Sequence, residues 1–222
     1  MLGDPGTGKT VALLEVAQDL LTKQEADPML PVPVVFNLSS WAARKGSLAD
    51  WMATELTAKY QVPKAKASEW LGAGALFPLL DGLDEVAAAA RAECMDAINS
   101  WLETAFCGVV VCCRFKEYNE LPSRLNLNAA VRIQAFTREQ VLTFVQEAGP
   151  RLAALRTLLE RDSGLLLDAR TPLMLTLMVC AFRDAQETEF VAEQNLAARR
   201  RQVMDAYVNR EMTRAKQGGS LV

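Results

Sequence analysis

Residues 3 to 10 read GDPGTGKT, and no other stretch restricts what this chain can fold into as strongly. The spacing G-x-x-x-x-G-K-T is a Walker A phosphate loop, met by Gly3, Gly8, Lys9 and Thr10, with Gly6 helping the backbone curl its N–H groups inward. Asp4, Pro5 and Thr7 fill the remaining positions and belong to the same candidate phosphate-binding set. Lys9 is suited to neutralise charge between β and γ phosphates and Thr10 to offer its hydroxyl to Mg²⁺, while the following helix adds its positive N-terminal end. Such a loop belongs between a strand and a helix. From Val11 onward, Leu13, Leu14, Ala17, Leu20 and Leu21 fall on one stripe and predict a helix packed on a sheet. A glycine-rich turn that merely caps a helix is the alternative reading of the loop.

Downstream, apolar strand-like runs alternate with helical patterns. After a proline-rich turn over Asp27 to Pro33, VPVVFNLSSW reads as a buried strand. Ser47 then opens a helix with Leu48, Met52, Leu56 and Tyr60 on one face and Asp50 in its first turn. Ala75 to Leu80, Gly108 to Cys113 and Ala130 to Phe136 read as further strands, with a helix over Val86 to Thr104. This βαβα order implies a mostly parallel sheet covered on both faces. From Thr137 the pattern is helical throughout. Thr137 to Gln140 forms a capping box, and Thr171 followed by Pro172 starts a helix over LMLTLMVCAF. Arg183 to Gln194 reads as a polar linker or surface turn, followed by a charged helix to about Lys216 and a GGS ending.

The second chemical signal is LFPLLDGLDEV, an apolar strand that delivers Asp81, Asp84 and Glu85 to its C-terminal end, where open α/β sheets bind ligands. Asp81 is suited to the Mg²⁺ shell, and Glu85 or Asp84 to polarising a water that attacks the γ-phosphate. A surface acidic turn is the alternative. Pro78 removes a ladder donor within this run, so the strand is expected to be bulged or irregular before its acidic end. The next strand, VVVCCRFKEY, brings Arg114 to the same edge, where it can sense or stabilise a γ-phosphate, or else pair with Glu117 or cap the sheet edge.

Composition removes several function classes. With 222 residues, half of them apolar, the chain can bury a substantial core, yet no apolar run approaches the roughly 18 residues needed to span a bilayer. No secretory signal pattern opens the chain, and a cytoplasmic location is expected. The five cysteines are odd in number and lack C-x-x-C spacing, so neither a disulfide framework nor a zinc site is indicated. The net charge of −3 gives no signal for nucleic acid, and the basic run Arg199 to Arg201 reads as a solvated helix face. There is no histidine, which removes Ser-His-Asp and Cys-His catalysis and histidine metal sites.

Taken in order, GDPGTGKT, PVVFNLSSW, LLDGLDEV, VVVCCRFKEY and RTPLMLTLM resemble the motifs of the NACHT group of STAND-class P-loop NTPases, bacterial relatives of the animal innate-immune NLR proteins. The resemblance implies an α/β P-loop core with a five-strand parallel sheet, then a helical subdomain and a winged-helix subdomain. It implies a module that binds ATP or ADP with Mg²⁺, switches between the two nucleotide states and self-associates in the ATP state. By position it assigns Lys9 and Thr10 to phosphate and Mg²⁺, Asp81 and Glu85 to the acidic pair, and Arg114 to phosphate sensing. It also places Pro172 near adenine. The corresponding division is an α/β core over residues 1–136, a helical subdomain over 137–194 and the start of a truncated winged-helix region over 195–222. Only Met1 and Leu2 precede the loop, so the first strand is expected to be missing or nearly so, its neighbours unpaired, and the chain a piece of a longer protein. Two further readings stay open, a conventional AAA-type P-loop ATPase and a non-enzymatic remnant that no longer binds nucleotide. A GTPase is disfavoured because no N-K-x-D motif occurs.

Overall fold

The computed structural model describes residues 1–43, 46–183 and 196–217. Contacts divide them between two compact units, Met1–Ile133 and the described part of Gln134–Val222. In the first unit, β1 (Leu2–Gly3) runs into the phosphate loop and α1 (Lys9–Ala26), and β2 (Val32–Asn37) is followed by a tight 3-10 turn over Leu38–Ala43. Then come α2 (Leu48–Tyr60), α3 (Lys64–Gly72) and β3 (Leu76–Asp81). A second 3-10 turn, Leu83–Glu85, leads to α4 (Ala88–Leu102), β4 (Val110–Val111), β5 (Cys113–Arg114) and α5 (Phe115–Asn119).

Among the described residues every strand pairing is parallel. The long ladder matches Val32 to Leu76 through Asn37 to Asp81, Leu79 and Leu80 meet Val110 and Val111, and Leu2 and Gly3 meet Cys113 and Arg114. Residues 110 to 114 therefore join two ladders. They pair with β3 on one side, continued by Cys112 N–H to Leu80 O at 2.8 Å, and with β1 on the other. The common parallel direction brings the carboxyl ends of β1, β3 and β5 to one edge, which is where a P-loop sheet gathers its polar groups. One face is covered by α2, α3 and α4 over Phe36, Leu80 and Val111, and the other by α1, whose Leu13 and Ala17 bury Leu79 and Cys112.

Several expectations are corrected. Met1–Gly3 bonds both neighbours, with Cys113 N–H on Met1 O at 3.1 Å, Leu2 N–H on Val131 O at 2.8 Å and Ile133 N–H on Leu2 O at 2.8 Å, so the neighbours keep their pairing at the loop end. Ala130 to Phe136 is not a strand but a single bridge between Leu2 and Arg132. Pro78 leaves β3 regular. Backbone groups alternate sides along a strand, and Val32 N–H bonds Ala75 O while Cys112 N–H bonds Leu80 O, so the nitrogen of Pro78 faces β4, whose pairing starts only at Leu79. The α1 stripe is only half buried: Leu13 is covered, but Leu14 is 51% exposed. The helix expected over Val86 to Thr104 spans Ala88–Leu102, and α3 was not anticipated.

The described part of the second unit is helical: α6 (Arg138–Glu147), a short 3-10 turn, then α7 (Ala153–Arg161), α8 (Ser163–Asp168), α9 (Pro172–Phe182) and α10 (Leu196–Gln217). Its own core gathers Val141, Leu155, Leu159, Met178, Phe182 and Val203. Side-chain caps set three of these helix starts, those of α6, α8 and α9. Thr137 and Gln140 complete the capping box, Asp162 accepts from Gly164 and Leu165 N–H, and Thr171 accepts from Met174 N–H with Pro172 at the first turn. Beyond Arg183, the expected polar linker to Gln194 lies outside the described residues, as does the GGS ending. No helix among the described residues is long and apolar enough to cross a membrane.

Candidate functional site

The phosphate loop closes on itself before α1 begins. Thr7 is buried, and both its N–H (3.3 Å) and its hydroxyl (2.8 Å) donate to Asp4 O. Gly6 and Gly8 take φ values of 75° and 83°, and Gly8 in that left-handed conformation is the N-cap of α1, with no side chain capping the helix. The first N–H groups of α1 are thus left for a ligand, and an anion is what a helix N-terminus favours. Gly3 is needed for close approach: a methyl there would stand 2.6 Å from Thr7 Oγ1 and 3.3 Å from Lys9 Cγ. The Lys9 ammonium folds over the loop, donating to Gly3 O at 3.0 Å and Asp4 O at 3.3 Å.

Chain topology then brings the second motif to the first. Asp81 ends β3 at the same sheet edge, and the Thr10 hydroxyl donates to Asp81 Oδ2 at 2.8 Å across a separation of 71 residues. A hydroxyl and a carboxylate oxygen at that spacing form a hard-oxygen pair of the kind Mg²⁺ accepts alongside phosphate oxygens and waters. Together with the open α1 terminus and the Lys9 ammonium, these donors fit a Mg²⁺–nucleotide group. Cys112 lies buried beside Asp81; burial first, and the Asp81 carboxylate next, push its thiol up to about 12, with Lys9 opposing.

The acidic turn distributes its carboxylates unequally. Asp84 is 6% exposed at its side chain and fully engaged, with Oδ1 accepting Arg114 N–H at 2.9 Å and Oδ2 facing Arg114 Nε at 2.8 Å. Arg114 also approaches Glu117 Oε1 at 3.8 Å. Glu85 is exposed, and its carboxylate lies over the Gly82 α-carbon. Pro172 belongs to the second unit. There it lines an apolar pocket of about 510 Å³ with Phe136, Gln140, Phe144, Leu175, Thr176 and Val179.

Two cations at the site escaped the sequence reading. Arg91, on α4, donates Nη2 to the carbonyls of Asp84 (2.8 Å) and Val86 (3.2 Å), and so grips the acidic turn from below. Arg132 pairs with Asp4 Oδ2 at 3.3 Å and lies 3.9 Å from the centre of the Phe115 ring. The seven-residue step from Asp84 to Arg91 is a local signal that could have been noticed. Arg132 and Asp4 are 128 residues apart, and nothing local announces their pairing.

Among solved structures the chain is similar to the Orc1 protein of Aeropyrum pernix, determined in complex with DNA, at TM-score 0.56 and 14% identity over 94% of this chain and 58% of that one. It is also similar to PCH-2 of C. elegans, at TM-score 0.43 and 15% identity over 95% of this chain and 60% of that one. The chain thus spans less than two thirds of either, and at this identity the Orc1 likeness speaks for the fold alone. No curated protein matches the sequence. The family model of the NACHT domain matches residues 1–150, covering the phosphate loop, the Asp81 strand and the Arg114 strand, and the chain accordingly belongs to the NACHT domain family of P-loop NTPases.

Proposed function

We propose that this chain is the ATP- and ADP-binding module of a signalling switch of the STAND, NLR-related kind, in which slow Mg²⁺-dependent hydrolysis resets a state that self-associates when ATP is bound. The observation that carries the reading is the 2.8 Å contact between Thr10 and Asp81, which joins two sequence motifs at the open N-terminus of α1. Phosphate would be held by the N–H groups at the open start of α1 and by Lys9, released from Gly3 and Asp4 carbonyls that already mark its reach. Mg²⁺, held by Thr10 and Asp81, supplies charge neutralisation on the phosphates when bound. Glu85 is the carboxylate left to orient and polarise the attacking water, because Asp84 is occupied by Arg114. Arg114 stabilises the charge that develops on the transferred group. The apolar pocket beside Pro172 supports a role for that residue against a flat base.

Equilibrium binding of labelled ATP and ADP, with Lys9→Ala as the control, tests the nucleotide site. Binding that falls by about 100-fold or more in the variant is expected, this being on the order of a lost charged phosphate contact. Equal and negligible binding by both proteins would sink the reading and favour a remnant without nucleotide. Turnover measured beside molar mass separates switch from motor. An ATP-dependent assembly with slow hydrolysis fits the switch, and rapid turnover without a mass change fits a conventional ATPase.

A further inference from the structure

We infer that Asp84 and Arg91 form a clamp that holds Arg114 and Glu85 as one unit, and that both act as positioning residues without touching the nucleotide. This rests on the hydrolytic site proposed above. Three fastenings converge on the turn from Leu83 to Val86. Leu83 N–H donates to Cys112 O at 3.0 Å, tying the turn to the strand run that carries Arg114. The Asp84 carboxylate spends one oxygen on the Arg114 main chain and the other on its side chain, fixing both where the arginine starts and where its guanidinium leaves the backbone. Arg91 bonds the carbonyls of Asp84 and Val86, the residues before and after Glu85, so the backbone on either side of that carboxylate is held from the same point.

The chemistry follows from the difference between holding and reacting. A carboxylate that is 6% exposed, with an N–H on one oxygen and a guanidinium on the other, is engaged at both oxygens and largely shielded from solvent. Removing its charge frees the Arg114 side chain, which is 42% exposed and, among the described residues, is otherwise ion-paired through the longer contact to Glu117 alone. Arg91 reaches the turn from α4, and both of its bonds go to the backbone beside Glu85 rather than to the phosphate loop.

A double-mutant cycle on the whole chain tests the clamp, with ADP affinity, thermal midpoint and single-turnover ATP hydrolysis read for each protein. Arg114→Gln is expected to slow hydrolysis by about 100-fold and Asp84→Asn by about 30-fold, while the double variant loses about 100-fold rather than about 3,000-fold, because Asp84 acts through Arg114. ADP affinity should stay within about threefold in all, since neither residue belongs to the phosphate loop. Losses that multiply would overturn the clamp and return Asp84 to an independent catalytic role. Should Asp84→Asn fail to fold, Arg91→Met reads the same device with the Asp84 carboxylate in place. Slower hydrolysis, non-additive with Glu85→Gln and at unchanged ADP affinity, supports it, and unchanged hydrolysis overturns it. ADP binding by the unaltered chain is measured first, so that its absence counts against the site as a whole rather than against the clamp.

Discussion

Three thiols of the first unit are pushed toward the protonated form by their surroundings. Cys94, Cys112 and Cys113 are buried, and desolvation is the leading reason that each is pushed up from 9.0 to about 12; nearby carboxylates of Glu93, Asp81 and Asp84 add to it. With these three thiols held protonated and no histidine in the chain, the charged groups at the sheet edge are carboxylates and cations. The shift also sets a stability window. The unfolded thiols ionise near 9.0 and the folded ones near 12, so the folded protein holds these protons more tightly, and the stability involved is whole below 9.0 and lost as pH rises toward 12. Urea midpoints measured from neutral pH to about pH 11 should therefore fall, and Cys94→Ala, though less stable at neutral pH through its cavity, should fall less steeply. An unchanged slope would show that Cys94 does not carry its share. That Thr10 and Asp81 meet at one sheet edge was legible in the sequence, because a phosphate loop and an acidic strand end carry their residue types at fixed spacing. The engagement of Asp84 by Arg114 was not, because the arginine arrives 30 residues later on a neighbouring strand.

Helix starts at Ser47, Thr137 and Thr171 could be read directly, since a cap is a contact between residues three apart and needs no tertiary structure. Where long-range pairing decides, reading failed: Ala130 to Phe136 has a strand's composition but earns one bridge, and Lys64–Gly72 buries just Ala67 and Leu71, too few for a visible period. The anchoring of α10 is likewise tertiary. Arg200 directs Nε (3.0 Å) and Nη2 (2.7 Å) at Asp168 Oδ1, and Asp168 is 3% exposed with Oδ2 buried and without a hydrogen bond. The two ends of this pair are not equivalent, because the guanidinium is 54% exposed and can be hydrated alone, whereas the carboxylate cannot. Arg200→Met is accordingly expected to cost about 2 to 3 kcal/mol, and Asp168→Asn about 1 kcal/mol or less, the usual full penalty being reduced by solvent at the arginine. Urea unfolding with hydrogen exchange along α10 checks the order, and a larger loss for Asp168→Asn would contradict it.

Across the whole molecule, each unit has its own apolar core, and the aromatic residues are divided unevenly between them. Trp41, Trp51, Trp70 and Trp101 are all the tryptophans of the chain, and all lie in Met1–Ile133 with the phosphate loop. Trp41, Trp51 and Trp101 are buried in the core formed with α2 and α4. Tryptophan emission thus reports the unfolding of the nucleotide-site unit alone, while far-UV circular dichroism sums the helices of both. A ligand that binds the folded state stabilises it by RT ln(1 + [L]/Kd), about 2.7 kcal/mol at a hundredfold excess over Kd. ADP with Mg²⁺ at that excess should raise the emission-detected midpoint by several degrees, and Lys9→Ala should erase the rise while leaving the ligand-free midpoint within about 2 °C of the parent. Lys9 donates to two loop carbonyls and lies outside the apolar core, so its loss leaves that core closed. A midpoint that does not move with ADP in the unaltered chain would mean that the Thr10–Asp81 contact, however well formed, does not hold nucleotide.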